Sequence, residues 1–144
     1  MELPTVLIEK VVMRGQILHS DIFEGIDHAK FFVVIGVSED AIAGFFYINS
    51  EINRHINTKP EQLQMQYPLY AKDYNFLAHD SYICATNVVE LPKADIVRSI
   101  ENKHTKVVDT LKPEHLKVLL DKLRSSKLFS AITKKRYFQS ANPD

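Results

Sequence analysis

KFFVVIGVSEDAIAGFFYINS, Lys30 to Ser50, is the stretch on which the fold of this chain turns. Phe31 to Val37 and Ala43 to Ile48 are short β-branched and aromatic runs, and the polar residues Ser38-Glu39-Asp40 lie between them, which reads as a β-hairpin. Both runs are nearly continuous in apolar residues, whereas a half-exposed strand alternates. The pair is therefore expected at the centre of a sheet, with both faces covered. Antiparallel strands bring their entry and exit to one end, so Lys30, Asn49 and Ser50 are expected to meet at one edge. That edge is where a site would begin.

Outward from the hairpin, Gln16 to Phe23 reads as a strand, with Ile17, His19 and Asp21 on one face and Leu18, Ser20 and Ile22 on the other. Thr5 to Met13 reads as a first strand or an arm. The loop from Glu24 to Ala29 holds Gly25, Asp27 and His28 just before the hairpin, and loops on a rigid scaffold are where sites are usually built. After the hairpin, Thr58-Lys59-Pro60-Glu61 resembles a capped helix start. Pro68 marks the run Tyr67 to Tyr74 as an edge, and Tyr82 to Val89 is a further strand candidate. Pro92 to Lys103 suits a short helix begun by its proline, and Val107 and Val108 mark a last strand. Pro113 to Ser126 is the clearest helix, because Leu116, Leu119, Leu120 and Leu123 recur at the spacing of one buried face.

The chain of 144 residues, 45% hydrophobic and 25% charged, fits one ordinary globular domain, with a core over about residues 14–125 and a basic tail over 126–144. No apolar run approaches the roughly 20 residues that span a bilayer, and the first ten residues lack a signal-peptide pattern. A cytoplasmic protein without membrane contact is expected. The single cysteine, Cys84, sits in an apolar run and reads as a buried structural thiol, which leaves redox and zinc chemistry aside.

Zero net charge hides an asymmetry. Residues 112–136 carry eight Lys or Arg against Glu114 and Asp121, a local +6 that leaves −6 elsewhere. Lys134, Lys135 and Arg136 end that segment, which suits phosphates or an acidic partner as well as a plain solvated face.

Of the histidines, His28 precedes Lys30 in the loop before the hairpin and His79 begins the run His79-Asp80-Ser81, and imidazole exchanges protons near neutrality. His79-Asp80-Ser81 is not a hydrolase triad, since triads are defined by convergence in space. Asp80 and Ser81 read equally as turn residues bonding nearby backbone. His19, His55, His104 and His115 show no metal-ligand spacing, and neither a phosphate-binding glycine loop nor a dinucleotide fingerprint is present. No cofactor is expected.

Several segments, in order, resemble the MazF/PemK-type toxins. Gly15-Gln16-Ile17 is similar to the Gly-Asp-Ile that opens their first strand, and Lys30-Phe31-Phe32-Val33-Val34-Ile35 to their Arg-Pro strand. Phe46-Tyr47-Ile48-Asn49-Ser50 resembles their strand ending in a hydroxyl residue, and Ser81 to Val88 a later strand. Leu111-Lys112-Pro113-Glu114-His115-Leu116 resembles their Leu-Ser-Pro-Glu-x-Leu helix start. Gln16, Lys30-Phe31 and Lys112 depart from the pattern and mark a divergent branch.

The resemblance implies a mainly β, α+β protein: a small SH3-like antiparallel barrel with a C-terminal helix, usually a homodimer. It implies metal-independent cleavage of single-stranded RNA and neutralisation by an antitoxin protein. The family's catalytic arginine falls on Lys30 and its catalytic hydroxyl on Ser50. Lys30 supplies charge without the two-pronged grip of arginine. His79, with His28 as its substitute, is assigned the proton transfers, and Asn49, Lys134, Lys135 and Arg136 the contacts with RNA. A noncatalytic barrel that binds RNA or protein is the competing expectation.

Overall fold

The computed structural model describes residues 12–22, 29–51 and 59–139. Its centre is the hairpin of β2 (Lys30–Val37) and β3 (Ile42–Asn49), paired antiparallel from Phe31↔Ile48 to Val37↔Ala43 with an irregularity between Val34 and Gly36. The turn is locked locally. Ser38 exchanges backbone hydrogen bonds with Ile42 and Ala41, its hydroxyl accepts from the Ile42 amide at 3.1 Å, and Ala41 takes a left-handed φ of 63°.

Around it lie β1 (Gln16–Ser20), β4 (Gln66–Leu69), β5 (Ser81–Cys84), β6 (Val89–Pro92) and β7 (Thr105–Thr110). They form one antiparallel seven-stranded sheet in the order β4-β5-β3-β2-β1-β7, with β6 also paired to β3. The sheet is open, with β4 and β7 at its two ends, so the expected closure into a barrel does not occur among the described strands. Pro68 lies in β4, where a residue without an amide proton suits an edge. The strand expected over Tyr82 to Val89 is in fact two. β5 pairs the exit of β3 at Ile48 and Asn49, β6 pairs its entry from Ile42 to Phe45, and a turn at 85–87 steps between them.

Helices cover both faces: α1 (Pro60–Leu63), α2 (Lys93–Glu101), α3 (Pro113–Ser125) and α4 (Ala131–Tyr137). Val33, Ile35, Phe46 and Ile48 face one way and pack with Leu119, Leu120 and Leu123 of α3 and with Tyr137 and Phe138. Phe32, Val34 and Phe45 face the other way, against Ile96 and Val97 of α2. Side chains 32 to 35 are completely buried, as the continuous apolar runs require. α2 is pinned by a buried hydroxyl chain in which Ser99 donates to Thr105 at 2.8 Å and Ser20 and Thr105 share a 2.6 Å bond.

Two expectations are corrected. The segment after Ser126, read as a tail, carries α4 and buries Tyr137 and Phe138, because their rings fill the space beside Phe46. Cys84 is half-buried, since β5 is the penultimate strand and its thiol turns toward Gln66 and Thr86. Of the aromatic residues between Tyr67 and Phe76, only Tyr70 is exposed, and Tyr74 is buried. The proposed arm over Thr5 to Met13, His28, Thr58 and the last five residues lie wholly or mainly outside the described residues. Among the described residues, no helix is long and apolar enough to cross a membrane.

Candidate functional site

The hairpin has two ends, and they differ in kind. At its entry, Lys30 begins β2 beside Ser20 of β1. The register Phe31↔Ile48 continues to Lys30 beside Asn49, and Asn49↔Tyr82 continues to Ser50 beside Ser81. His79 and Asp80 directly precede Ser81, so Lys30, Asn49, Ser50 and His79 are brought to one end of the sheet. Strand alternation divides them between its faces. Lys30, Tyr47, Asn49 and Tyr82 share the α2 face, while Ser50, one residue beyond β3, continues onto the other.

Lys30 and Asn49 are half-buried, and Ser50 and His79 are exposed. The Lys30 ammonium lies 5.6 Å from the centre of the Tyr47 ring, a cation–π distance, and that ring packs on Phe32. Asp80 accepts from the Ala71 amide at 2.8 Å, and the Ser81 hydroxyl donates to the His79 carbonyl at 3.1 Å, so both serve the turn. Among the described residues, no hydrogen bond or ion pair joins Lys30, Ser50 and His79.

On the Ser50 face, one cross-strand row runs His19, Phe31, Ile48, Ile83, Tyr67. Rings from the loop after β4 and the start of α3 roof it over: Phe31 to Phe76 at 5.0 Å, Phe76 to Tyr74 at 6.0 Å, Tyr74 to His115 at 5.7 Å, and His115 to Tyr67 at 6.5 Å. Tyr74 is the pivot. Its hydroxyl accepts from the Lys112 amide at 3.0 Å and lies 2.7 Å from His115 Nδ1. Burial pushes the Tyr74 hydroxyl above its ordinary pKa, and Tyr67 likewise, with Tyr70 adding to the latter. The sequence reading missed this pair. Tyr74 and His115 are 41 residues apart, and their separate neighbourhoods give no sign that they touch.

The turn end is a clamp. Arg14 donates through Nε to the Ile35 carbonyl at 2.8 Å and through Nη2 to the Tyr137 carbonyl at 2.9 Å, and burial lowers its pKa, with Arg124 adding to the effect. Arg136 reaches Ser38 and Asp40, each at 3.3 Å. The Ser38 hydroxyl, with Arg136 contributing, holds the Asp40 carboxyl below its usual range. A groove of about 750 Å³ runs beside this clamp, lined in part by Arg14, Lys93, Lys135 and Arg136. Lys134 and Lys135 are also carried by α4, so this basic set stands a strand's length from Lys30. An eight-residue strand spans about 25 Å, too far for one phosphate to touch both ends.

Among the described residues, no three His, Cys, Asp or Glu side chains are grouped so as to hold a metal ion. Comparison with protein-family models found no match, and comparison with curated proteins found none either.

Proposed function

We propose that this chain is a metal-independent endoribonuclease of the MazF/PemK-like type, the toxin of a toxin–antitoxin pair, working at the open end of the central hairpin. The observation that carries the reading is the register of β2, β3 and β5, which gathers a cation, an amide, a hydroxyl and an imidazole at one rim. These are the groups that cleavage by internal attack requires: a proton acceptor for the ribose 2′-hydroxyl, a proton source for the departing oxygen and positive charge for the phosphate.

In that reaction the 2′-hydroxyl loses its proton to His79, and its oxygen forms a bond to phosphorus. The bond from phosphorus to the 5′-oxygen breaks, and that oxygen collects a proton from His28 or from solvent. The products are a cyclic phosphate end and a free 5′-hydroxyl. Lys30 offsets the added negative charge, while Asn49 and Ser50 orient the phosphate from the two faces of the rim. The same reading treats the seven-stranded sheet as an open form of the family's SH3-like barrel, expects a homodimer, and makes the antitoxin a peptide lying in the dimer groove. Lys134 and Lys135 then serve RNA beyond the cleaved bond.

A noncatalytic RNA-binding module is the second reading, favoured by the seating of Lys30 over Tyr47 and by the absence of hydrogen bonds among Lys30, Ser50 and His79. The test is to incubate the purified protein with single-stranded RNA in EDTA. Fragments ending in cyclic phosphate support the enzyme. Intact RNA that is retarded on a gel, with affinity falling steeply in salt, supports the binding module instead. RNA that is neither cut nor retarded overturns both.

A further inference from the structure

With the Tyr74 hydroxyl as donor, the Tyr74–His115 pair fixes a proton. The Tyr74 oxygen already receives the Lys112 amide proton, so its own proton has one acceptor among the described residues, His115 Nδ1 at 2.7 Å. The rise in the Tyr74 pKa on burial keeps that proton on oxygen, in agreement with the geometry. An imidazole that accepts at Nδ1 carries its hydrogen on Nε2. His115 Nε2 has no partner among the described residues, and it is not among the buried atoms left without one, so it opens to solvent. With Tyr74 as the donor, the result is a rigidly aimed Nε2–H. Lys112 flanks it, its ammonium 5.9 Å from the Tyr74 ring centre and 3.9 Å from Asp73.

The geometry points to His115 as a second phosphate contact for single-stranded RNA, with Tyr74 as the residue that positions it; this rests on the RNA reading above. Tyr67, which touches His115, lies in the cross-strand row just inside Ser50 and Ser81. β4 is three strand steps from β2, about 14 Å at the usual spacing, so the phosphate at His115 is not the one at Lys30 but another further along the chain. His115 is a donor in this role and carries no proton in the reaction, because the lone pair that would accept one is held by Tyr74.

The experiment compares wild type, His115→Leu, His115→Gln and Tyr74→Phe on a single-stranded RNA oligonucleotide and on its uncleavable 2′-O-methyl analogue, with thermal midpoints measured beside. His115→Leu should raise KM and the Kd for the analogue about tenfold, with kcat falling less than KM rises, the scale of one hydrogen bond to a charged group. His115→Gln, whose amide N–H reaches toward the position of Nε2, should recover most of that loss. Nitrogen NMR should place the imidazole proton of the wild type on Nε2, and Tyr74→Phe should mix the two tautomers and weaken binding more modestly. A folded His115→Leu variant with wild-type Kd, or a wild-type proton on Nδ1, overturns the assignment. RNA bound but not cut by wild type removes the catalytic reading alone, and the Kd series then decides the His115 contact. RNA neither bound nor cut removes both.

Discussion

The two ends of the central hairpin use similar residue types for opposite purposes. At the turn, the two arginines are engaged, Arg14 to two carbonyls and Arg136 through Nη2 to Ser38 and Asp40, although the Arg136 Nε is buried without a partner among the described residues. Backbone approaches backbone so closely there that Gly36 lies directly beneath Tyr137. At the entry, Lys30 rests on an aromatic face, Ser50 and His79 are exposed, and a tight polar pair, Tyr74 with His115, leaves a nitrogen open to solvent. A charge engaged by groups of the fold itself holds the fold together, whereas one that faces solvent can meet a ligand. Lys134, Lys135 and Arg136, which by composition alone look like the natural contact for RNA, lie on α4 at the turn end.

The strongest way to break this contrast is Gly36→Ala. A Cβ there would stand 2.4 Å from the Tyr137 carbonyl oxygen and 3.0 Å from its Cα, so backbone has to move. A loss of about 3 kcal/mol is expected in urea unfolding, at the upper end of overpacking costs. An unaltered midpoint would mean that α4 is not seated on the hairpin. Lys30→Ala should do the reverse. Turnover on RNA should fall about 100-fold, the scale of losing one preorganised charge, while the thermal midpoint holds. A variant with full activity and an unchanged midpoint would place the chemistry elsewhere.

Alkaline titration sharpens the comparison, because both ends rely on buried phenols. Tyr67, Tyr74 and Tyr137 are each raised above 10.0 chiefly by burial, with Glu90 adding to the effect at Tyr137. A folded pKa above the unfolded one favours the neutral form. Their contribution is therefore complete below about pH 10 and is lost as the pH climbs through the folded values. Unfolding free energy measured against pH should fall on that limb, and Tyr74→Phe should flatten its share. A profile that stays level through the limb would show that these phenols are solvated.

The smallest effect is at Ala41, whose φ of 63° is costly for a residue with a Cβ. Ala41→Gly should stabilise the turn end by up to about 1 kcal/mol and leave RNA cleavage as it was. A destabilised variant would mean that the left-handed turn costs less than glycine's extra freedom in the unfolded chain.

Some of this was legible in the residues themselves. The doubly covered hairpin follows from apolar runs without alternation, and α3 follows from Leu116, Leu119, Leu120 and Leu123 at helical spacing. The convergence of Lys30, Asn49 and Ser50 follows from the antiparallel rule once the hairpin is recognised. These are local signals, carried by neighbours in the chain whose side chains repeat with the period of one element. What the residues did not disclose depends on distant segments meeting. The opposite faces of Lys30 and Ser50, the burial of Tyr137 and Phe138, the engagement of Arg136 and the contact of Tyr74 with His115 are all of this kind. Periodicity tells a strand which face is apolar, but only packing selects which of several apolar partners fills the space above it. Tertiary structure therefore decided which charges were spent on the fold and which were left open.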